Sequence, residues 1–264
     1  MRSCWVVTPD EDFAVLAAAI KDARYTLVRE NDLVPEFRSF QKLSGWFKQQ
    51  AIKIAIARLI KTKFYLTLDA DLVCWKMLRY SDLVRHSRAG CYIQPSDLHP
   101  DWYQSSERVL RLPRSGACHS VTPAVLSRKG MLMMQTHLSH LAEQNGLVTE
   151  WLDYHRSLSP QGNRAPKATD SRPWAVYLLM NTPWTEYSLY YTFLEATGKF
   201  DDHHFRAQHC LYSTSSLWHA DQISSWDPYG RSARDDHSFF LVVQSKSGIA
   251  SGYVREKLAQ DLES

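Results

Sequence analysis

Between Gly45 and Lys63 the chain reads "GWFKQQAIKIAIARLIKTK". Ile52, Ala55, Ile56, Leu59 and Ile60 recur at i, i+3, i+4, i+7 and i+8, which makes one apolar stripe along a helix. Lys48, Gln49 and Lys53 fall off that stripe; Gln49 and Lys53, four apart, share a face. Directly afterwards comes "FYLTLDADLVC", Phe64 to Cys74. Strand-favouring residues lead into Asp69-Ala70-Asp71, and a second apolar run follows. The apolar content is dense rather than alternating, which predicts a central strand covered on both faces. Its acidic end is not explained by the pattern.

The other elements follow from the same rules. "CWVVTP" predicts a short strand stopped by Pro9. "DEDFAVLAAAIKDA" predicts a helix with acidic residues at its start, and "RYTLVREND" a second strand. Strand, helix, strand is the opening of an α/β layer fold. "GCYIQPSD" predicts another strand. "GACHSVTPAVLS" predicts a strand or loop leading into a helix, with Thr122 as N-cap and Pro123 at the first helical position. "MLMMQTHLSHLAEQNG" continues as a helix ending at Asn145-Gly146. In "NTPWTEYSLYYTFLEATGKF" Thr182 is the predicted cap, Pro183 the first helical residue and Gly198 the stop. Glu186 then sits in the first turn, near the positive helix end. "FFLVVQS" predicts a late strand and "SGYVREKLAQDLES" a closing polar helix. Residues 157–173, "SLSPQGNRAPKATDSRP", have no apolar period and predict a mobile active-site loop or a passive insertion. With no repeat and no interdomain linker, residues 1–264 read as a single domain.

Composition narrows the function classes. The chain has 264 residues, 44% hydrophobic and 22% charged, which suffices for a sizeable core. A net charge of +3 suits anionic small molecules or the surface of an anionic membrane. It lacks the dense basic stripe that nucleic-acid binding needs. The five cysteines, Cys4, Cys74, Cys91, Cys118 and Cys210, form no C-x-x-C pair, so a reducing cytoplasm is expected rather than a disulfide framework. The start has no signal-peptide core. No run reaches the ~18 apolar residues of a membrane span. The protein is expected to be soluble, or at most peripheral at the inner membrane.

In open α/β sheets, ligands collect beyond the carboxyl ends of strands. Asp69 and Asp71 stand where such a crevice would lie, and residues two apart in extended chain point the same way. The pair can share one hard cation, Mn²⁺ or Mg²⁺, which keeps room for water and substrate phosphates. The ion would neutralise a diphosphate and stabilise it as a leaving group. The same "DADLV" run also fits a haloacid-dehalogenase-type phosphatase, in which Asp69 would attack phosphate. That class needs a later strand ending in acidic residues, and Asp235-Asp236 follows the polar, turn-like "YGRSAR" instead. A polar turn without chemistry is the third alternative.

"GWFKQQAIKIAIARLIKTKFYLTLDADLVC" resembles a group of bacterial GT-A-like glycosyltransferases, catalogued largely as a domain of unknown function. These carry a Gly-Trp-x-x-Gln-Gln helix before a Leu-Asp-x-Asp strand. The likeness extends to "GACHSVTPAVLS", "WTEYSLYYTFLE" and, more faintly, "FFLVVQSKSGI", and so covers most of the chain from Trp5. It implies a GT-A-like (Rossmann-like) α/β fold and a nucleotide-sugar donor. It also implies a divalent metal at Asp69 and Asp71, and a glycan or lipid-linked acceptor in surface polysaccharide synthesis. "WVVTPDEDFAVL" resembles the family's second strand and helix, so the implied fold lacks its first strand and helix. A shortened, inactive GT-A-like binding domain is therefore a further alternative.

Roles for single residues follow. Lys48, Gln49 and Gln50 precede the acidic strand and are expected to meet the donor phosphates. Glu186 is the candidate general base that would take the acceptor hydroxyl's proton. Trp184 is a candidate to stack on a sugar ring, and His119 and Asp97 are candidates for the acceptor side. A late histidine often completes a GT-A metal site. His219 in "LWHAD" is the first candidate and His237 the second.

Overall fold

The computed structural model describes residues 3–40, 42–94, 98–119, 121–158, 172–228, 237–245 and 248–260. In chain order the elements are β1 (Cys4–Thr8), α1 (Phe13–Ala19), β2 (Tyr25–Arg29), α2 (Glu30–Leu33), α3 (Gly45–Ala55), β3 (Phe64–Thr67), β4 (Leu72–Cys74), α4 (Tyr80–Leu83), β5 (Val84–Arg85) and β6 (Arg88–Gln94). Then come α5 (Pro100–Leu110), β7 (Cys118–His119), β8 (Ala124–Ser127), α6 (Arg128–Gln144), α7 (Leu147–Leu158), α8 (Pro173–Met180), α9 (Glu186–Ala196), α10 (Phe200–His203), β9 (His204–Ala207), β10 (Phe240–Val242) and a last helix, Ser251–Gln260. This is a mixed α/β fold with small sheets. The chain divides into two compact units. One comprises Met1–Lys63, His99–Ser115 and Arg128–Thr197; the other comprises Phe64–Leu98, Gly116–Ser127 and Gly198–Ser264.

The first unit is mostly helical. β1 and β2 pair in parallel from Cys4↔Tyr25 to Thr8↔Arg29, with α1 as the crossover, as the strand, helix, strand pattern predicts. α6 packs on α7, α8 and α9, while α3 and α5 pack on α9. Trp174, Trp184, Tyr190 and Tyr191 are among its fully buried side chains. Aromatics at the centre of a helical layer supply large apolar area per residue.

α3 differs from its predicted stripe. Leu59 is 37% exposed, whereas Gln50, Ala51, Lys53 and Ile54 are buried with Ala55. Two physical causes are visible. The helix tightens to a 3-10 turn over Ile56–Arg58, which rotates the residues after it. Lys53, placed by pattern on the solvent side, instead pairs with Glu186 of α9.

Among its described residues the second unit holds three small sheets. β3 pairs antiparallel with β8, Phe64↔Ser127 to Thr67↔Ala124. β6 carries β5 and β7 antiparallel and β9 parallel. β4 pairs antiparallel with β10, Leu72↔Val242 to Cys74↔Phe240. Phe64, Val84, Ala89 and Val125 form a core cluster, with Leu66, Leu83 and Leu211 against it. Among the described residues β3 pairs with β8 alone, so it is buried by packing and not by a place in the middle of a wide sheet.

Two predicted helix starts move. Thr122-Pro123 precedes β8 and not a helix; α6 begins at Arg128, where Val125 and Leu126 have already paired with β3. α9 begins at Glu186. Its cap is Thr185, whose Oγ1 accepts from the Ser188 N–H at 3.3 Å. Pro183 lies outside the helix. The loop predicted at 157–173 lies, apart from its ends, outside the described residues.

Candidate functional site

β3 ends at Thr67, two residues before the first aspartate. Asp69-Ala70-Asp71 is therefore not extended strand, as the sequence reading assumed, but the turn that carries the chain from β3 into β4. Both aspartates are half-buried. The turn is anchored by residues much later in the sequence. The Val243 N–H donates to the Asp71 backbone carbonyl at 2.8 Å. The Ser245 N–H donates to Asp71 Oδ2 at 3.1 Å. The first bond continues the β4–β10 ladder by one residue beyond Val242, and the second fixes one carboxylate oxygen of Asp71.

The other side of β10 is also occupied. Ser213 N–H donates to Phe240 O, and Leu217 N–H donates to Val242 O, both at 2.7 Å; Gln244 N–H returns to Leu217 O at 2.8 Å. Residues 212–217 thus run beside β10 as a parallel companion, with bridges Tyr212↔Phe240 and Leu217↔Val243. His219, exposed, lies two residues beyond Leu217, which bridges to Val243, the residue whose N–H meets the Asp71 carbonyl. Its N–H donates to Gln222 Oε1 at 2.9 Å. Among the described residues no group of three or more His, Cys, Asp or Glu is gathered for a metal, so His219 does not complete a three-residue cluster with the two aspartates. Two half-buried carboxylates still fit an ion that takes one or two protein carboxylates and leaves its other positions to water and phosphate. His237 lies elsewhere in this unit, against the His209 ring at 4.3 Å.

The other expected donor and catalytic residues are in the first unit. Lys48 Nζ sits 2.6 Å from Glu30 Oε1. Gln50 is buried, and its Oε1 accepts from the Glu186 N–H at 3.2 Å. Glu186 is 1% exposed; its Oε1 lies 2.8 Å from Lys53 Nζ. Lys53 Nζ also stands 5.0 Å from the Tyr187 ring centroid. Gln50, Lys53 and Glu186 are thus one buried polar joint between α3 and α9. Gln49 is half-buried on the same helix.

The candidate acceptor residues separate in the same way. Trp184 is 1% exposed, donates its Nε1–H to Leu178 O at 2.7 Å and meets the Phe47 ring edge-on at 6.1 Å. It is a core residue in this conformation. His119 is buried in β7 of the second unit, with its ring 5.4 Å from Phe200. Asp97 lies outside the described residues.

Sequence reading passed over the aromatics that are accessible. Trp46, 36% exposed, lies 6.3 Å from Trp102, and the His99 ring stacks on Trp102 at 3.9 Å and 12°. Burial holds the His99 ring below its ordinary pKa. A Trp at the first turn of α3 and a His-x-x-Trp at the start of α5 were the available signal.

Among the described residues no helix is long and apolar enough to cross a membrane. None of the five cysteines is in a disulfide. The model of a family of unknown function, DUF6492, matches residues 1–263 of the chain. No curated protein matches it.

Proposed function

The chain belongs to that family of unknown function, DUF6492, and from its own residues we propose that it is a GT-A-like, metal-dependent glycosyltransferase. It would move a sugar from a nucleotide-sugar donor to a glycan or lipid-linked acceptor in surface polysaccharide synthesis, in the cytoplasm or at the inner membrane face. The observation that carries this reading is the acidic turn at the end of buried β3, with Asp71 braced by the backbone of residues 243–245. A braced carboxylate loses little freedom when it takes a ligand.

Asp69 and Asp71 would hold Mn²⁺ or Mg²⁺, which supplies charge neutralisation of the departing diphosphate. Glu186 takes a structural part in this reading, because its carboxylate is buried against Lys53. Trp46 and Trp102 are better placed than Trp184 to meet a sugar ring, since stacking needs an accessible face.

The test is a thermal-shift panel of UDP, GDP, CMP and dTDP sugars with and without Mn²⁺. Metal-dependent stabilisation by one nucleotide class is expected, about 2.7 kcal/mol at a hundredfold excess over Kd. Loss of that stabilisation in Asp71→Asn supports the metal role, and its survival refutes it. Covalent trapping of a phosphate mimic on Asp69 would favour the phosphatase. No response to any nucleotide would favour an inactive binding domain.

A further inference from the structure

The first unit contains a cleft of about 380 Å³ between the 3-10 turn Ile56–Arg58 and α6. Arg58, Arg128, Leu132, Gln135, Thr136 and Ser139 line it, with two guanidiniums and no carboxylate. Like charges sharing a cleft repel, so their convergence needs either a structural partner or an anion.

Gln135 accounts for part of the arrangement. It is buried; its Nε2 donates to Ile54 O at 2.7 Å, and its Oε1 accepts from Arg58 Nε at 2.9 Å. Both ends of the amide are used to aim one guanidinium. That bond engages only Nε and leaves the terminal Nη groups of Arg58 for another acceptor. Arg128 Nε is buried with no hydrogen-bond partner among the described residues. Arg58 has the buried Glu36 carboxylate as an electrostatic neighbour, outside the residues that line the cleft, so the cleft itself presents two guanidiniums and no carboxylate.

The hydroxyls add a second requirement. Thr136 Oγ1 donates to Leu132 O at 3.0 Å, and Ser139 Oγ donates to Gln135 O at 2.9 Å. Their protons are committed to the helix, so toward the cleft their oxygens act as acceptors. The cleft thus offers charged donors on one part and neutral acceptors on another. A bare inorganic anion satisfies only the first. A ligand with an oxyanion and hydroxyl groups satisfies both, and the volume suits a monosaccharide-sized group.

We propose that this cleft binds an anionic sugar unit, phosphorylated or carboxylated, with its oxyanion on Arg58 and Arg128 and its hydroxyls on Thr136 and Ser139. Arginine suits the task because its planar fork meets such oxyanions in pairs of hydrogen bonds. The proposal does not depend on the transferase reading, and its test needs neither metal nor nucleotide.

Isothermal titration in EDTA, with glucose 6-phosphate, glucuronate, glucose and inorganic phosphate as probes, decides it. One saturable site is expected for an anionic sugar, about tenfold or more tighter than for glucose or inorganic phosphate. Comparing glucose 6-phosphate with glucuronate identifies the preferred oxyanion. Arg58→Gln and Arg128→Gln should each weaken binding about tenfold, and Arg58→Lys by less. Ser139→Ala should reduce the preference for the sugar over inorganic phosphate. If one of the two glutamine variants does not fold, the other alone decides. Undiminished affinity in both single variants, or no saturable binding of either anionic sugar, overturns the proposal. Equal affinity for inorganic phosphate and the sugars overturns its sugar component.

Discussion

Asp71 shows how one side chain can hold a structural and a chemical task at once. Its Oδ2 accepts the Ser245 N–H, a bond that an amide oxygen can replace. Asp71→Asn should therefore fold with stability within about 0.5 kcal/mol of the parent and lose only the charge. Asp71→Ala should lose about 1 kcal/mol as well, because the Ser245 N–H loses its acceptor. Urea midpoints of the two variants check this, and equal midpoints would show that the bond is immaterial. Lys53 and Glu186 present the opposite case, charges committed to the core. Lys53→Met leaves the Glu186 carboxylate buried without its cation and should cost about 3–5 kcal/mol. Adding Glu186→Leu should restore most of that loss. The acidic pair was legible in the sequence, because two carboxylates at the end of an apolar run stand out. The Lys53–Glu186 joint was not, because each residue alone fits an exposed helix position or a helix start.

At the scale of elements, the period of the apolar residues located α3, α6 and α9, and the strands β1, β2 and β3. The ends were less legible. Thr-Pro pairs at 122–123 and 182–183 resemble helix starts, yet the competing events were strand pairing of Ala124–Ser127 and capping by Thr185. Neither depends on the Thr-Pro pair itself. The packing of α6 on α9 gives a test. A Cβ on Gly130 would stand 3.1 Å from the Tyr190 hydroxyl and 3.3 Å from Leu194 Cδ2. Both residues are fully buried and have little room to withdraw. Gly130→Ala should thus destabilise by about 1–3 kcal/mol, although alanine alone would favour the helix by about 1 kcal/mol. A raised denaturation midpoint would show that the contact yields.

For the molecule as a whole, the mixed α/β class was legible and the sheet partnerships were not. β3 finds β8, and β4 finds β10, across long intervening stretches. Local pattern carries no information about which of several apolar runs will pair. Global stability should respond to acid through His204. Burial, with the neighbouring His203 and His119 adding to it, lowers its pKa from 6.5 to about 3. Between these values the unfolded chain binds a proton that the folded chain refuses. The contribution is complete above pH 6.5 and is lost as pH falls toward 3, by up to about 1.4 kcal/mol per unit. Glu36, raised by burial, works in the other direction and loses stability as pH rises through its folded value. Urea midpoints from pH 7 to 4 should fall in the parent and fall less steeply in His204→Gln. Parallel slopes would remove His204 from the account.

The tie between Asp71 and Ser245 spans 174 residues. A ribosome delivers the acidic turn long before it delivers the backbone that braces it. Until then the turn has neither the Val243 N–H nor the Ser245 N–H to hold its shape. A nascent chain stalled before residue 243 would carry both aspartates in an unbraced loop. Readiness for a ligand at this turn is therefore acquired only after residue 245 has been made, 174 residues after Asp71.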